Sequence, residues 1–365
     1  MRHRLPLALC LALAGCSDVP PESLSVAEQL GGRPAEGYLR AEAPRAFRFP
    51  EDHGPHAGFR NEWWYLTGNL DGADGRRFGY QATFFRIGLD PSPEHRASPW
   101  ATSEVWMAHL ALSDAASATH RGSERFARGA AGLAGAATDP LRVWLEDWQL
   151  TSDDGGATWR LRAATEDFAL DLALRPARAA ILQGEAGLSR KSDAPGNASY
   201  YYSLPRLETQ GDVTVEGVRH AVRGLSWLDR EWSSSALGED QVGWDWLALQ
   251  LADGRDLMYY RLRRADGTVD PMSRGSLVDG AGGRVELGPD LDLHPVRHWT
   301  AGDGRRYPVE WTLRLPGDAR PLRVAAVFDA QQMMLAVRYW EGMVDVRDAG
   351  DGAPRGRGYL ELTGY

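Results

Sequence analysis

Asn61-Glu62-Trp63-Trp64-Tyr65-Leu66-Thr67-Gly68-Asn69-Leu70 is followed by Asp71-Gly72-Ala73-Asp74-Gly75 and then by the apolar run Phe78 to Ile87. Two aromatic-rich runs joined by Asp-Gly turn chemistry read as a β-hairpin. A second such unit begins at Trp244: Trp244-Asp245-Trp246-Leu247-Ala248-Leu249-Gln250-Leu251, then Asp253-Gly254-Arg255, then Leu257-Met258-Tyr259-Tyr260-Arg261. Laid on the first, Trp63 falls on Trp244, Leu66 on Leu247, Leu70 on Leu251, Asp74-Gly75-Arg76 on Asp253-Gly254-Arg255 and Tyr80 on Tyr259. Self-similarity of this kind predicts two related β units. Between them Phe168, Leu170, Leu172 and Leu174 alternate with Ala169, Asp171 and Ala173, the signature of a strand with one buried face. Residues 325–339 remain open between a short helix capped by Asp329 and a strand in which Val324, Ala326 and Phe328 alternate.

Composition supports an all-β reading. Fourteen Trp, 12 Tyr and 9 Phe, set among 41 Gly and 21 Pro, suit short aromatic strands separated by tight turns. A hydrophobic fraction of 43% with 25% charged residues excludes disorder and a polytopic membrane protein. At 365 residues the chain is long enough for two domains. The expected division is 1–15 leader, 16–45 tether, 46–222 first domain and 223–365 second domain.

Met1-Arg2-His3-Arg4 and the apolar stretch Leu5 to Ala14 have the form of an export signal, too short to span a bilayer. Leu13-Ala14-Gly15-Cys16 resembles the bacterial lipobox, which implies cleavage before Cys16 and acylation of that residue. The expectation is a cell-envelope protein anchored to a membrane through lipidated Cys16, with Ser17 favouring the outer membrane and a periplasmic face. Cys10 leaves with the leader, so the mature fold has no disulfide. The net charge of −9 disfavours nucleic acid as a partner.

Further along stand His53-Gly54-Pro55-His56, Asn61-Glu62-Trp63-Trp64-Tyr65, Phe78-Gly79-Tyr80-Gln81, Met107-Ala108-His109 and Gly196-Asn197-Ala198-Ser199-Tyr200-Tyr201-Tyr202-Ser203. Trp227-Leu228-Asp229-Arg230-Glu231-Trp232, Trp340-Glu341-Gly342 and the terminal Leu362-Thr363-Gly364-Tyr365 follow. These words resemble the AttH family, lipocalin-like proteins grouped with the carotenoid 1,2-hydratase CrtC. The resemblance implies two tandem lipocalin-like β-barrels. It also implies a choice among hydration of isoprenoid double bonds, guidance of pericyclic reactions, and lipoproteins encoded beside ABC transporters. In the hydratase the segment matching Ser226 to Ser233 carries histidines where this chain has Leu228 and Arg230, while Asp229 and Trp232 are kept. Arginine donates no proton near neutral pH.

The residues themselves nominate a site. Asp229 and Glu231 stand among Trp227, Trp232, Trp244 and Trp246, and a carboxyl in aromatic surroundings has its pKa raised towards that of a useful acid. Alternation sends Asp245 away from Trp244 and Trp246. Glu62, His109 and Tyr259 complete the catalytic candidates, with Trp64 and Tyr80 as further ligand walls. The group Asp52, His53, His56 and Glu62 reads either as a metal set or as a hydrogen-bonded loop before the first strand, the latter being favoured. No metal or cofactor is called for, and no Gly-x-Ser-x-Gly, His-Glu-x-x-His or phosphate loop occurs. The expectation is a hydrophobic small molecule, lipid or isoprenoid, bound in an aromatic pocket by a hydratase or isomerase. The alternative is a non-catalytic carrier or an accessory of an ABC transporter.

Overall fold

The period-two alternation becomes an all-β architecture, with no α-helix among the described residues. The computed structural model describes residues 36–92, 98–235, 237–238 and 240–365, so the leader and Cys16 lie outside the described residues. The first sheet opens with β1 (Asn61–Gly72), β2 (Arg77–Gly88), β3 (Glu104–Asp114) and β4 (Thr119–Arg128). It continues through β5 (Ala134–Thr138), β6 (Leu141–Leu145), β7 (Trp148–Ser152), β8 (Trp159–Ala164) and β9 (Phe168–Pro176). Short β10 (Ile181–Leu182) and β11 (Leu188–Arg190) precede the long β12 (Ala198–Val215) and β13 (Val218–Ser233). The second sheet holds β14 (Gln241–Leu251), β15 (Asp256–Arg264), β16 (Arg274–Val278), β17 (Arg284–Leu287) and β18 (Leu293–Thr300). It ends with β19 (Arg306–Leu313), β20 (Leu322–Ala326), β21 (Gln332–Met334), β22 (Arg338–Asp348) and β23 (Pro354–Leu362).

Strand order is β4-β3-β2-β1-β13-β12-β9-β8-β7-β6-β5 in the first sheet and β17-β16-β15-β14-β23-β22-β20-β19-β18 in the second. The first curls nearly into a barrel and the second into a half-barrel, two lipocalin-like units. Each has its own core. Trp64, Leu66, Leu70, Tyr80, Phe84, Tyr202, Leu228 and Trp232 point into the first, while Leu247, Leu249, Tyr259, Trp340 and Leu360 point into the second. The opposite parity of the same strands emerges on the outer faces, and there the two sheets meet: Tyr65, Tyr201 and Trp227 pack with Trp246, Met258, Tyr260, Met343 and Tyr359. Each quoted pair of the internal repeat obeys this parity. Leu66 and Leu247 lie in their own cores, as do Tyr80 and Tyr259, while Trp63 and Trp244 both face the seam. Gly79 permits the close approach, since a Cβ there would lie 2.7 Å from the Tyr359 hydroxyl and 2.9 Å from Met343 Cβ.

Three boundaries differ from expectation. β13 runs unbroken through residues 222 and 223, pairing there with both β1 and β12, so the change of sheet falls between Ser233 and Gln241. The supposed tether is docked from Tyr38 onward: Leu39 N–H donates to Gly58, Ala41 is fully buried in the first core, and Ala43 O accepts from Tyr200. Residues 325–339 form no helix. β20 and β21 flank a turn in which the Asp329 carboxylate pairs with Arg297 at 2.6 Å instead of capping a helix.

Candidate functional site

The outer faces leave a cleft between the sheets with about 840 Å³ of atom-free space, mouth included. Trp63, Tyr65 and Phe85 wall it from the first sheet, and Trp244, Trp246 and Tyr260 from the second. Strand parity places them there: residues 63 and 65 on β1 share a face, as do 244 and 246 on β14.

Four carboxyl groups enter this aromatic slot. Asp229, on β13, accepts from Ser203 and Trp227 at 2.5 and 2.7 Å on one oxygen and from Tyr201 at 2.5 Å on the other. Among the described residues no cation pairs with it. Burial pushes its pKa up to about 7 against the opposing pull of those three donors. Two residues along the strand, Glu231 is paired with Lys191 at 3.1 Å and accepts from Ser199. Burial works against the Lys191 charge, but Glu231 and Tyr260 hold its pKa above the usual value. Glu361, on β23, takes one bond from Trp244 Nε1 at 3.2 Å, and burial pushes it up to about 8. Glu341, on β22, accepts from Tyr65 through Oε1, while its buried Oε2 has no hydrogen-bond partner. Burial and the neighbouring Glu361 drive Glu341 well above the carboxylate range, although Tyr65 and Tyr339 oppose them.

Near neutral pH the cleft therefore holds protonated acids, one poised acid and one lysine-paired carboxylate. Such a set can deliver a proton to an electron-rich carbon, and the surrounding ring faces stabilise positive charge as it forms.

Of the residues nominated from sequence, Asp229, Glu231, Trp244 and Trp246 line the cleft. Trp227 stands behind Asp229 as its donor, and His109 lies one contact back, its Nδ1 at 2.8 Å from the Tyr339 hydroxyl. Burial lowers the His109 pKa to about 3, so it is a neutral ring at working pH. The others belong elsewhere. Trp64, Tyr80 and Trp232 fall on even positions and fill the first core. Arg230 lies 3.6 Å over Trp64, Tyr80 donates to Ser226, and Trp232 stacks on His56 at 3.7 Å. Glu62 is sealed within the barrel mouth, paired with Arg86 at 2.5 Å and Arg230 at 2.6 Å, which hold it ionised. Tyr259 faces the second core and donates to Gly288 O at 3.1 Å. Asp245 points the same way and binds Arg261 and Arg263.

Asp52, His53 and His56 form a bonded loop. Asp52 meets His56 at 3.0 Å, His53 Nδ1 meets the Tyr202 hydroxyl at 2.6 Å, and the His56 N–H donates to Glu62. Among the described residues no cluster of three or more His, Cys, Asp or Glu is arranged to hold a metal. Sequence reasoning missed Tyr65, Tyr201, Lys191, Glu341 and Glu361. The alternation Leu360-Glu361-Leu362 held a signal for the last, but it reads as a solvent face until another sheet is known to cover it.

The AttH-like family matches residues 40–365. A crystal structure of an AttH protein from Nitrosomonas europaea is 37% identical, covering 88% of this chain and 99% of its own, with a TM-score of 0.79. Kievitone hydratase from Nectria haematococca is similar in fold at 16% identity and a TM-score of 0.68, covering 90% of this chain and 97% of its own. No curated protein matches. No helix of the described residues is long and apolar enough to cross a membrane.

Proposed function

Because the chain belongs to the AttH-like family, and because its cleft presents a buried acid without a cation partner, we propose that it protonates an unsaturated hydrophobic small molecule, as a hydratase or isomerase. The observation that carries this reading is Asp229: fully buried, held by three neutral donors, with a pKa near 7 among tryptophans. A general acid works best when its pKa lies near the operating pH. One fold relative is a hydratase by name, which makes hydration the first reaction class to test.

In this reading protonated Asp229 gives its proton to one carbon of a double bond, and the adjacent carbon becomes cationic between the faces of Trp63, Trp244 and Trp246. Water attacks that carbon. Its surplus proton passes to Glu231, which stands on the same face of β13 about 7 Å along the strand. Return of that proton from Glu231 to Asp229 restores the protein, so the net change is addition of water across the bond, and return to Asp229 of a neighbouring proton of the cation instead gives isomerisation. The lipobox-like ending at Cys16 supports an exported, lipid-anchored protein at the outer membrane, facing the periplasm.

The test is incubation of the protein with unsaturated isoprenoids in ¹⁸O-labelled water, followed by mass spectrometry. Incorporation of one labelled oxygen, lost by about 10²–10⁴-fold in Asp229→Asn, is the expected result. A fully active Asp229→Asn protein overturns it. A ligand that binds and returns unchanged marks a carrier.

A further inference from the structure

Among the described residues, acid groups outnumber basic groups at the cleft. Asp229 and Glu231 come from β13, Glu341 from β22 and Glu361 from β23, against the single cation Lys191. Lys191 is already engaged with Glu231 at 3.1 Å and lies 4.2 Å over the ring of Tyr260. The remaining titratable groups at the walls are the phenols Tyr65, Tyr201, Tyr260 and Tyr339, with His109 behind the last. Three carboxyl groups thus lack a positive partner, and one of their oxygens, Glu341 Oε2, is buried with no hydrogen bond. The rings of Trp63, Trp244, Trp246 and Phe85 complete the enclosure, and aromatic rings attract a cation through their quadrupoles.

From this geometry we infer that the cleft binds small hydrophobic cations, an amine or quaternary ammonium carrying an apolar group, in preference to neutral molecules of the same shape. A guest's positive charge lets the unpartnered carboxyls ionise in place, which no neutral guest can do, whereas an anionic guest holds them protonated and finds the one lysine already engaged. Fatty acids and phosphate-bearing lipids are accordingly poor occupants. The inference rests on the reading of this cleft as the binding site but not on hydration chemistry.

Titration of the full chain by tryptophan fluorescence, with Trp63, Trp244 and Trp246 at the walls, tests it with three probes: benzyltrimethylammonium, its neutral isostere neopentylbenzene, and benzoate. The cation is expected to bind about ten-fold tighter than the hydrocarbon, with benzoate weakest. Its affinity should rise with pH as Asp229 and Glu361 ionise around about 7 and about 8, while that of the hydrocarbon stays flat. Glu341→Gln and Glu361→Gln should each reduce the cation's advantage several-fold without weakening the neutral probe. Equal binding of cation and hydrocarbon overturns the inference and leaves hydration standing. Cation preference in a protein whose Asp229→Asn variant still hydrates overturns the proposed reaction alone.

Discussion

Replacing Asp229 with Asn should make the protein relatively more stable as pH rises. The wild-type carboxyl moves from an ordinary 3.8 to about 7 on folding because burial penalises its charge. At ~1.4 kcal/mol for each tenfold change in equilibrium, full ionisation in the folded state costs on the order of 4 kcal/mol. The folded state binds the extra proton, so the contribution of Asp229 to stability is full below about pH 4 and is lost as the pH passes about 7. Asn mimics the protonated acid: its oxygen can accept from Ser203 and Trp227, and its amide can donate to Tyr201 once that hydroxyl turns. It has no charge to lose. Urea unfolding of both proteins at about pH 5 and about pH 8 should show the gap shifting in the variant's favour by about 2–3 kcal/mol, roughly 1 M in midpoint. A gap that stays constant between the two pH values, or moves the other way, means that Asp229 is ionised in the folded protein throughout, and its role as acid falls.

Glu62→Gln should behave in the opposite sense, destabilising the fold by about 3–5 kcal/mol in urea at neutral pH, because Arg86 and Arg230 lose their buried counter-charge. Arg230 holds the Glu62 pKa below its usual value against burial, so the stability it supplies is present above about pH 4.5 and fades as pH falls further, narrowing the gap to wild type. Tyr259→Phe should cost about 1 kcal/mol through its lost bond to Gly288 and leave binding of cleft ligands unchanged by fluorescence titration. Gly79→Ala forces a methyl against Tyr359 and Met343, and should cost about 1–3 kcal/mol in urea while altering ligand affinity, since the contact spaces the two sheets.

The hairpin words disclosed the fold because their period is two and their turns are Asp-Gly, features that depend on neighbouring residues only. The site was legible where the same parity was applied, as at Asp245, which does turn away from Trp244 and Trp246. It was misread where proximity in sequence replaced parity. Trp64 lies beside Trp63 and Trp232 beside Glu231, yet one residue of offset on a strand sends a side chain to the opposite face. Arg230 shows the same effect, since it sits between two cleft carboxylates in sequence but belongs to the ion network of the barrel mouth. Glu341 and Glu361 arrive from strands more than a hundred residues beyond Asp229, and only the topology that lays β22 and β23 next to β14 brings them to the same slot.

The cleft is a seam between two separately packed interiors. Each sheet keeps its own tryptophan-filled core, and buried bonds such as Asn69 to Gly358 O and Gln250 to Ser226 O hold the two at a set spacing. The walls of the proposed guest's site come from both units; a single ancestral copy would have worn Trp63 or Trp244 on its outside. Duplication would have turned two such exteriors into one interior, with each copy acting as the lid of the other.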